Sequence, residues 1–262
     1  MAAEVHVREF GAGPPIWLLH SLLADAGSCV PLAERLAGRH RVLVADLPGF
    51  GGSARVGPGL DDVADRLAGA MQGEPAAVFG NGYGSFIALM LALRHPALVT
   101  QLILAGTGAA FSEPGRAAFR GMAQAASANG LAGIANVAMR RLFAPLFQEA
   151  HPEMLAERRA GFVGTDVDVF TGACAALSTL DVREAVRGLE VPTLVMVGEQ
   201  DEATPPAMAR ELASLLPRAT LVELDGCAHV PQLQAPERVF EVMCRFSRAL
   251  PGPIGSGSAL PH

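Results

Sequence analysis

The stretch Ala76-Ala77-Val78-Phe79-Gly80-Asn81-Gly82-Tyr83-Gly84-Ser85-Phe86 decides how the rest of the chain is read. Residues 76–79 are a short apolar run and read as a buried strand. They lead through glycines at every second position into residues 85–94, which read as a helix. That spacing matches a G-x-S-x-G turn, in which a strained strand-to-helix corner exposes its middle side chain. The middle position here is Gly82. A non-glycine residue at such a corner carries strain of roughly 1–3 kcal/mol. Glycine is free of that strain and brings no hydroxyl. Taken alone, the segment also reads as an ordinary glycine-rich turn or a phosphate loop, because glycine-spaced turns are common.

Working outward, the same rhythm recurs. Residues 5–10, 16–19, 42–45, 102–105, 193–197 and 221–224 read as further strands. Most are continuous apolar runs, as expected of parallel strands covered on both faces. Helical patterns fall at 30–36, 61–71, 206–215 and 236–250. Strand–helix alternation of this kind predicts an α/β fold with a mostly parallel, doubly wound sheet. The rhythm breaks over 107–189, where 116–128 and 131–142 look helical and no clear strand appears. This stretch is expected to be a helical cap inserted into a core made of 1–106 and 190–250, with 251–262 a loose tail rich in Gly, Pro and Ser. Such a cap would roof the carboxyl ends of the strands, where open α/β sheets bind ligands.

The 262 residues suffice for one α/β domain with an insertion, and a 50% hydrophobic content is that of a globular chain. A net charge of −6 without runs of like charge argues against a nucleic-acid partner. All 20 basic residues are arginines in an Ala- and Gly-rich chain, which reads as the codon bias of a GC-rich bacterial genome. Cys29, Cys174, Cys227 and Cys244 fit neither a CxxC metal site nor a disulfide framework, so reduced thiols and a cytoplasmic location are expected. No secretory h-region opens the chain, and the longest apolar stretch, 86–93, is too short to span a bilayer.

Two loops after predicted strands carry acid–base residues. Gly198-Glu199-Gln200-Asp201 places an aspartate at a strand's carboxyl end, and Asp225-Gly226-Cys227-Ala228-His229 places a histidine after the last strand. Each alone reads equally as a loop residue, but the order nucleophile position, Asp, His is a recognisable one, distinct from the orders in chymotrypsin and subtilisin. Asp201 and His229 are therefore expected to pair, with Asp201 fixing the imidazole tautomer and His229 moving a proton. Ser21, in the loop His20-Ser21-Leu22-Leu23-Ala24-Asp25, is not taken as a substitute nucleophile, because nothing in the sequence brings it to His229. Ser85 is expected to serve the helix start. The segment 46–53, DLPGFGGS, lacks the Lys-[Ser/Thr] ending of a P-loop and reads as a structural turn.

Taken together, HSLLAD, DLPGFGGS, GNGYGS, GEQDEATPP and GCAHVPQLQAPE resemble the α/β-hydrolase superfamily over nearly the whole chain, most closely its enol-lactonase and esterase group, which includes 3-oxoadipate enol-lactonase. The Leu142-Phe143-Ala144-Pro145 stretch and the 171–180 segment are similar to that group, and the Gly80-Asn81 pair also resembles the meta-cleavage-product hydrolases. The resemblance implies hydrolysis of a small ester, lactone or related molecule, with no cofactor; no metal is expected, and charge and apolar-run length leave neither nucleic acid nor membrane as an expected partner. It assigns Gly82 to the nucleophile position, Asp201 to the acid and His229 to the base. The backbone N–H groups of Leu22 and Tyr83 become the oxyanion donors. A substrate carboxylate would call for a cap arginine, Arg141 first and Arg140 second, although both read equally as solvated helix charges. With no hydroxyl at position 82, three readings stay open. One is a hydrolase silenced or altered at one position. Another is an enzyme using the His–Asp pair as a non-covalent base, with water or in a lyase or cyclisation reaction. The third is a non-catalytic binder of small ligands.

Overall fold

The computed structural model describes residues 4–249, so the expected tail at 251–262 lies outside the described residues. Seven strands form one sheet: β1 (Val7–Phe10), β2 (Pro15–Leu19), β3 (Arg41–Ala45), β4 (Ala76–Asn81), β5 (Val99–Ala105), β6 (Thr193–Gly198) and β7 (Ala219–Leu224). Their spatial order is β1-β3-β2-β4-β5-β6-β7. Every pairing is parallel except β1 with β3, which is antiparallel at one edge.

The alternation of side chains along each strand sorts the core into two layers. Ile16, Leu18, Val42, Val44, Phe79, Ile103 and Met196 face one side and meet α1 (Val30–Leu36) and a helix at the end of the chain. Trp17, Leu19, Val78, Leu102, Leu104 and Val195 face the other side. There they meet α2 (Leu60–Ala70) and α3 (Tyr83–Arg94). The central strands are apolar in both directions because both faces are covered.

The segment between β5 and β6 is helical, as expected, and more finely divided than the sequence pattern suggested. It holds α4 (Glu113–Leu142), α5 (Pro145–Ala150), α6 (Pro152–Val163) and α7 (Val167–Thr179). The two expected helices are two arms of α4, separated by Gly130, whose φ of 66° and ψ of 172° are not helical. α4 packs chiefly on α7 and also on α6. The chain then returns through α8 (Pro206–Leu215), α9 (Pro231–Gln234) and α10 (Pro236–Ala249), the last packed on α1. No single helix among the described residues is long and apolar enough to cross a membrane.

Register carries the chemistry to one edge of the sheet. Leu19 pairs with Gly80, Asn81 with Ala105, and Gly198 with Leu224. The loops that follow β2, β4, β5, β6 and β7 therefore leave from the same carboxyl edge, and they bear Ser21, Gly82, Gly106, Asp201 and His229.

Candidate active site

The turn after β4 has the shape its glycine spacing implies. Gly82 sits at φ 53°, ψ −119°, a conformation that L side chains rarely adopt. The flanking glycines are there for space: a β-carbon on Gly80 would stand 2.3 Å from the carbonyl oxygen of Gly84, and one on Gly84 would stand 2.4 Å from that of Leu19. A β-carbon on Gly82 would point at chemistry, 2.6 Å from Nε2 of His229 and 2.5 Å from Oγ of Ser21.

Asp201 and His229 meet as expected. His229 Nδ1 lies 2.9 Å from Oδ2 of Asp201 and 3.1 Å from Oδ1. The carboxylate has further donors: the N–H groups of Ala203 and Thr204, each 2.9 Å from Oδ1, and the Thr204 hydroxyl, 2.8 Å from Oδ2. Burial alone would push the Asp201 carboxyl up. Its neighbour His229, the hydrogen bond from that ring and the two Thr204 donors outweigh burial and hold it below the ordinary value. An ionised Asp201 accepts from Nδ1–H, so neutral His229 carries its proton there and presents a bare Nε2. Ser21 faces that nitrogen, its Oγ 3.4 Å away.

The His229 loop is fixed from behind by Asn81. The Asn81 amide donates to the carbonyl of His229 at 2.7 Å and to that of Ala105 at 3.2 Å, and its oxygen accepts from Nε2 of Gln232 at 3.0 Å. Asn81 is fully buried. It fills the second position of the glycine-spaced turn, where the sequence offers no pattern that reveals its partner.

The two expected oxyanion donors are prepared by their own peptide units. The carbonyl of Ser21 shares a peptide plane with the N–H of Leu22. It accepts from Nδ1 of His20 at 2.9 Å and from the N–H of Ala24 at 3.2 Å. The carbonyl of Gly82 shares a plane with the N–H of Tyr83. It accepts from the Ser85 hydroxyl at 2.6 Å and from the N–H groups of Ser85 and Phe86. In a trans peptide N–H and C=O point in opposite directions, so pinning each carbonyl fixes the N–H on the other side. Neither the Leu22 nor the Tyr83 N–H has an acceptor among the described residues. Ser85 thus braces the donor peptide as well as the first turn of the helix. His20, to which no motif in the sequence assigns a role, is fully buried, and its Nε2 accepts from the N–H of Leu47 at 3.2 Å.

These groups open into a cavity of about 280 Å³. Ser21, Leu22, Gly82, Tyr83 and His229 form its floor, while Phe111, Phe119 and Met122 supply much of an apolar wall. Of the two arginines proposed for substrate binding, Arg141 lines the cavity and has no hydrogen-bond or ion-pair partner among the described residues. Arg140 is exposed and outside the lining, because successive residues on a helix point about 100° apart. Glu202 is the acidic residue in the lining. No group of three or more His, Cys, Asp or Glu side chains among the described residues is arranged to hold a metal ion. All four cysteines are unpaired.

Comparison with known proteins places the fold that carries these residues. Residues 14–236 match the model of the alpha/beta hydrolase fold family. The chain is 30% identical to 3-oxoadipate enol-lactonase 2 of Acinetobacter baylyi over 80% of each chain. It is 31% identical to the pimeloyl-[acyl-carrier protein] methyl ester esterase of Chromobacterium violaceum, covering 88% of this chain and 92% of the relative. Among solved structures, the enol-lactonase from Burkholderia xenovorans superposes with a TM-score of 0.88 at 29% identity, over 94% of this chain and 97% of that one.

Proposed function

The chain belongs to the alpha/beta hydrolase fold family, and on that premise we propose that it hydrolyses a small carboxylic ester or lactone in the cavity over Gly82. The observation that carries this reading is the His229–Asp201 pair, its bare Nε2 facing a cavity floored by two unpartnered backbone N–H groups. A base next to an oxyanion site is what acyl hydrolysis needs. Gly82 stands where the family resemblance places the nucleophile, so the site is a variant one, with the His–Asp pair activating an oxygen other than a residue-82 hydroxyl. The relatives named above, enol-lactonases and a methyl ester esterase, support this substrate class. The free guanidinium of Arg141 favours substrates that carry a second, anionic group. The segment 107–189 serves as the cap over the core, which among the described residues is formed by 4–106 and 190–249.

The test is turnover of p-nitrophenyl acetate and butyrate, and of small lactones with and without a carboxylate, by the protein and by His229→Ala. Turnover that disappears in His229→Ala supports the reading. Tight ligand binding with no turnover in either protein overturns it in favour of a binding role.

A further inference from the structure

The reaction proposed above needs an oxygen nucleophile, and Gly82 supplies none. We propose that the nucleophile is the hydroxyl of Ser21, so that the serine has moved from the loop after β4 to the loop after β2. This inference rests on the hydrolase reading and names the residue that carries it out.

The space argument is direct. A β-carbon on Gly82 would stand 2.5 Å from Ser21 Oγ, closer than such contacts occur, so the Ser21 hydroxyl fills the volume a residue-82 side chain would enter. It stands 3.4 Å from Nε2 of His229, and that ring nitrogen is its hydrogen-bond partner among the described residues. Ser21 is 1% exposed, so its hydroxyl meets the cavity and little else of the solvent. Seating a substrate carbonyl over Ser21 is expected to shorten this contact.

The oxyanion donors serve a nucleophile on either loop. With the nucleophile at position 82, Tyr83 is the residue that follows it and Leu22 comes from the facing loop. With the nucleophile at Ser21, Leu22 follows it and Tyr83 comes from the facing loop. Both N–H groups are held in place by the pinned carbonyls already described. The empty position at Gly82 is then what makes room for the working hydroxyl.

The chemistry closes. Ser21 Oγ attacks the carbonyl carbon while His229 Nε2 takes its proton, and the carbonyl π pair moves onto oxygen between the Leu22 and Tyr83 N–H groups. Collapse breaks the bond to the leaving oxygen, which takes the proton from His229 and leaves an ester on Ser21. Water, deprotonated by His229, attacks that ester, and Ser21 departs with the proton restored. The sum is ester plus water giving acid plus alcohol.

The experiment is labelling with a fluorophosphonate, followed by mass spectrometry of proteolytic peptides, beside ester turnover by the protein and by Ser21→Ala. The expected result is a phosphonyl adduct on the peptide containing Ser21, slowed in His229→Ala. Turnover in Ser21→Ala should fall by at least on the order of 10³-fold. His229-dependent turnover with no adduct, or an adduct elsewhere, overturns Ser21 and leaves the hydrolase reading standing, with water as nucleophile. Neither turnover nor adduct overturns both. Should Ser21→Ala fail to fold, the site of the adduct in the unaltered protein decides alone, and Ser21→Cys, expected to react with iodoacetamide in a His229-dependent way, gives a second readout.

Discussion

Gly106 lies against the imidazole of His229: a methyl group on its α-carbon would stand 2.9 Å from Nδ1 and 3.2 Å from Oδ2 of Asp201. Its φ is 60°, so a side chain there is strained as well as crowded. Gly106→Ala is expected to lose about 1–3 kcal/mol of stability. It should also lower kcat by on the order of 10²-fold, because displacing the base by even a fraction of an ångström spoils the attack geometry. Urea denaturation and steady-state kinetics read the two effects separately.

Placing serine at position 82 is not expected to create an ordinary site by itself. The new side chain would meet both Ser21 and His229. Gly82→Ser is therefore expected to be less stable and slower than the parent. Adding Ser21→Ala removes one of the two collisions, so the double variant should turn over faster than Gly82→Ser alone. A double variant no better than the single one would count against the coupling of the two positions.

Asn81 is expected to act on rate through the His229 loop. Asn81→Ala strands the carbonyl of His229 and the Gln232 amide, while the Ala105 carbonyl keeps the Gly82 N–H, at a cost of about 1–3 kcal/mol. Asn81→Asp should be worse, since it sets an acceptor-only carboxylate against two carbonyl oxygens. In both, kcat should fall while KM for an uncharged ester changes little.

Stability should fall in acid in two stages. Burial lowers His20 below the ordinary 6.5 despite its hydrogen bond to the Ser21 carbonyl and the nearby Asp25 and Asp46 charges. The unfolded chain therefore takes up a proton that the folded chain refuses, and stability declines as pH drops from 6.5 toward the folded value. His40, lowered by burial as well, adds to this window. Asp201 contributes stability above its ordinary 3.8 that is lost as pH falls through its depressed folded value. Melting temperature against pH checks both, and His20→Asn should flatten the upper stage.

Arg141→Ala is expected to raise KM for acid-bearing substrates by about tenfold or more, the loss of one charge-assisted hydrogen bond. Neutral esters should be affected little. Equal effects on both would show that Arg141 shapes the cavity without reading charge.

Most of the framework could be read from residue pattern because the strands are covered on both faces and so appear as unbroken apolar runs. The apolar pattern marks α1 and α8 to the residue. β5 starts earlier than expected, since the exposed Thr100 and half-buried Gln101 interrupt the apolar run. α6 escapes that pattern, because its charged and apolar residues show no clean helical stripe. The His229–Asp201 pairing was legible from chain order alone. The approach of Ser21 to His229 was not: 208 residues separate them, and sheet order, with β2 beside β4 and the β7 loop reaching back over β4, brings them together.

The break at Gly130 divides α4 into two rods that contribute differently to the cavity. Pro114, Ala118, Phe119 and Met122 come from the first rod, and Arg141 comes from the second. A side chain at position 130 would meet nothing within 4 Å, so only backbone preference resists a change there. The two rods thus meet the cavity through different side chains, and the second is tied to the His229 loop, its last residue Leu142 accepting from the N–H of Val230 at 3.3 Å. The angle at Gly130 therefore sets the distance between the charged and the apolar side of the cavity, so its shape is written in one backbone corner as well as in its lining.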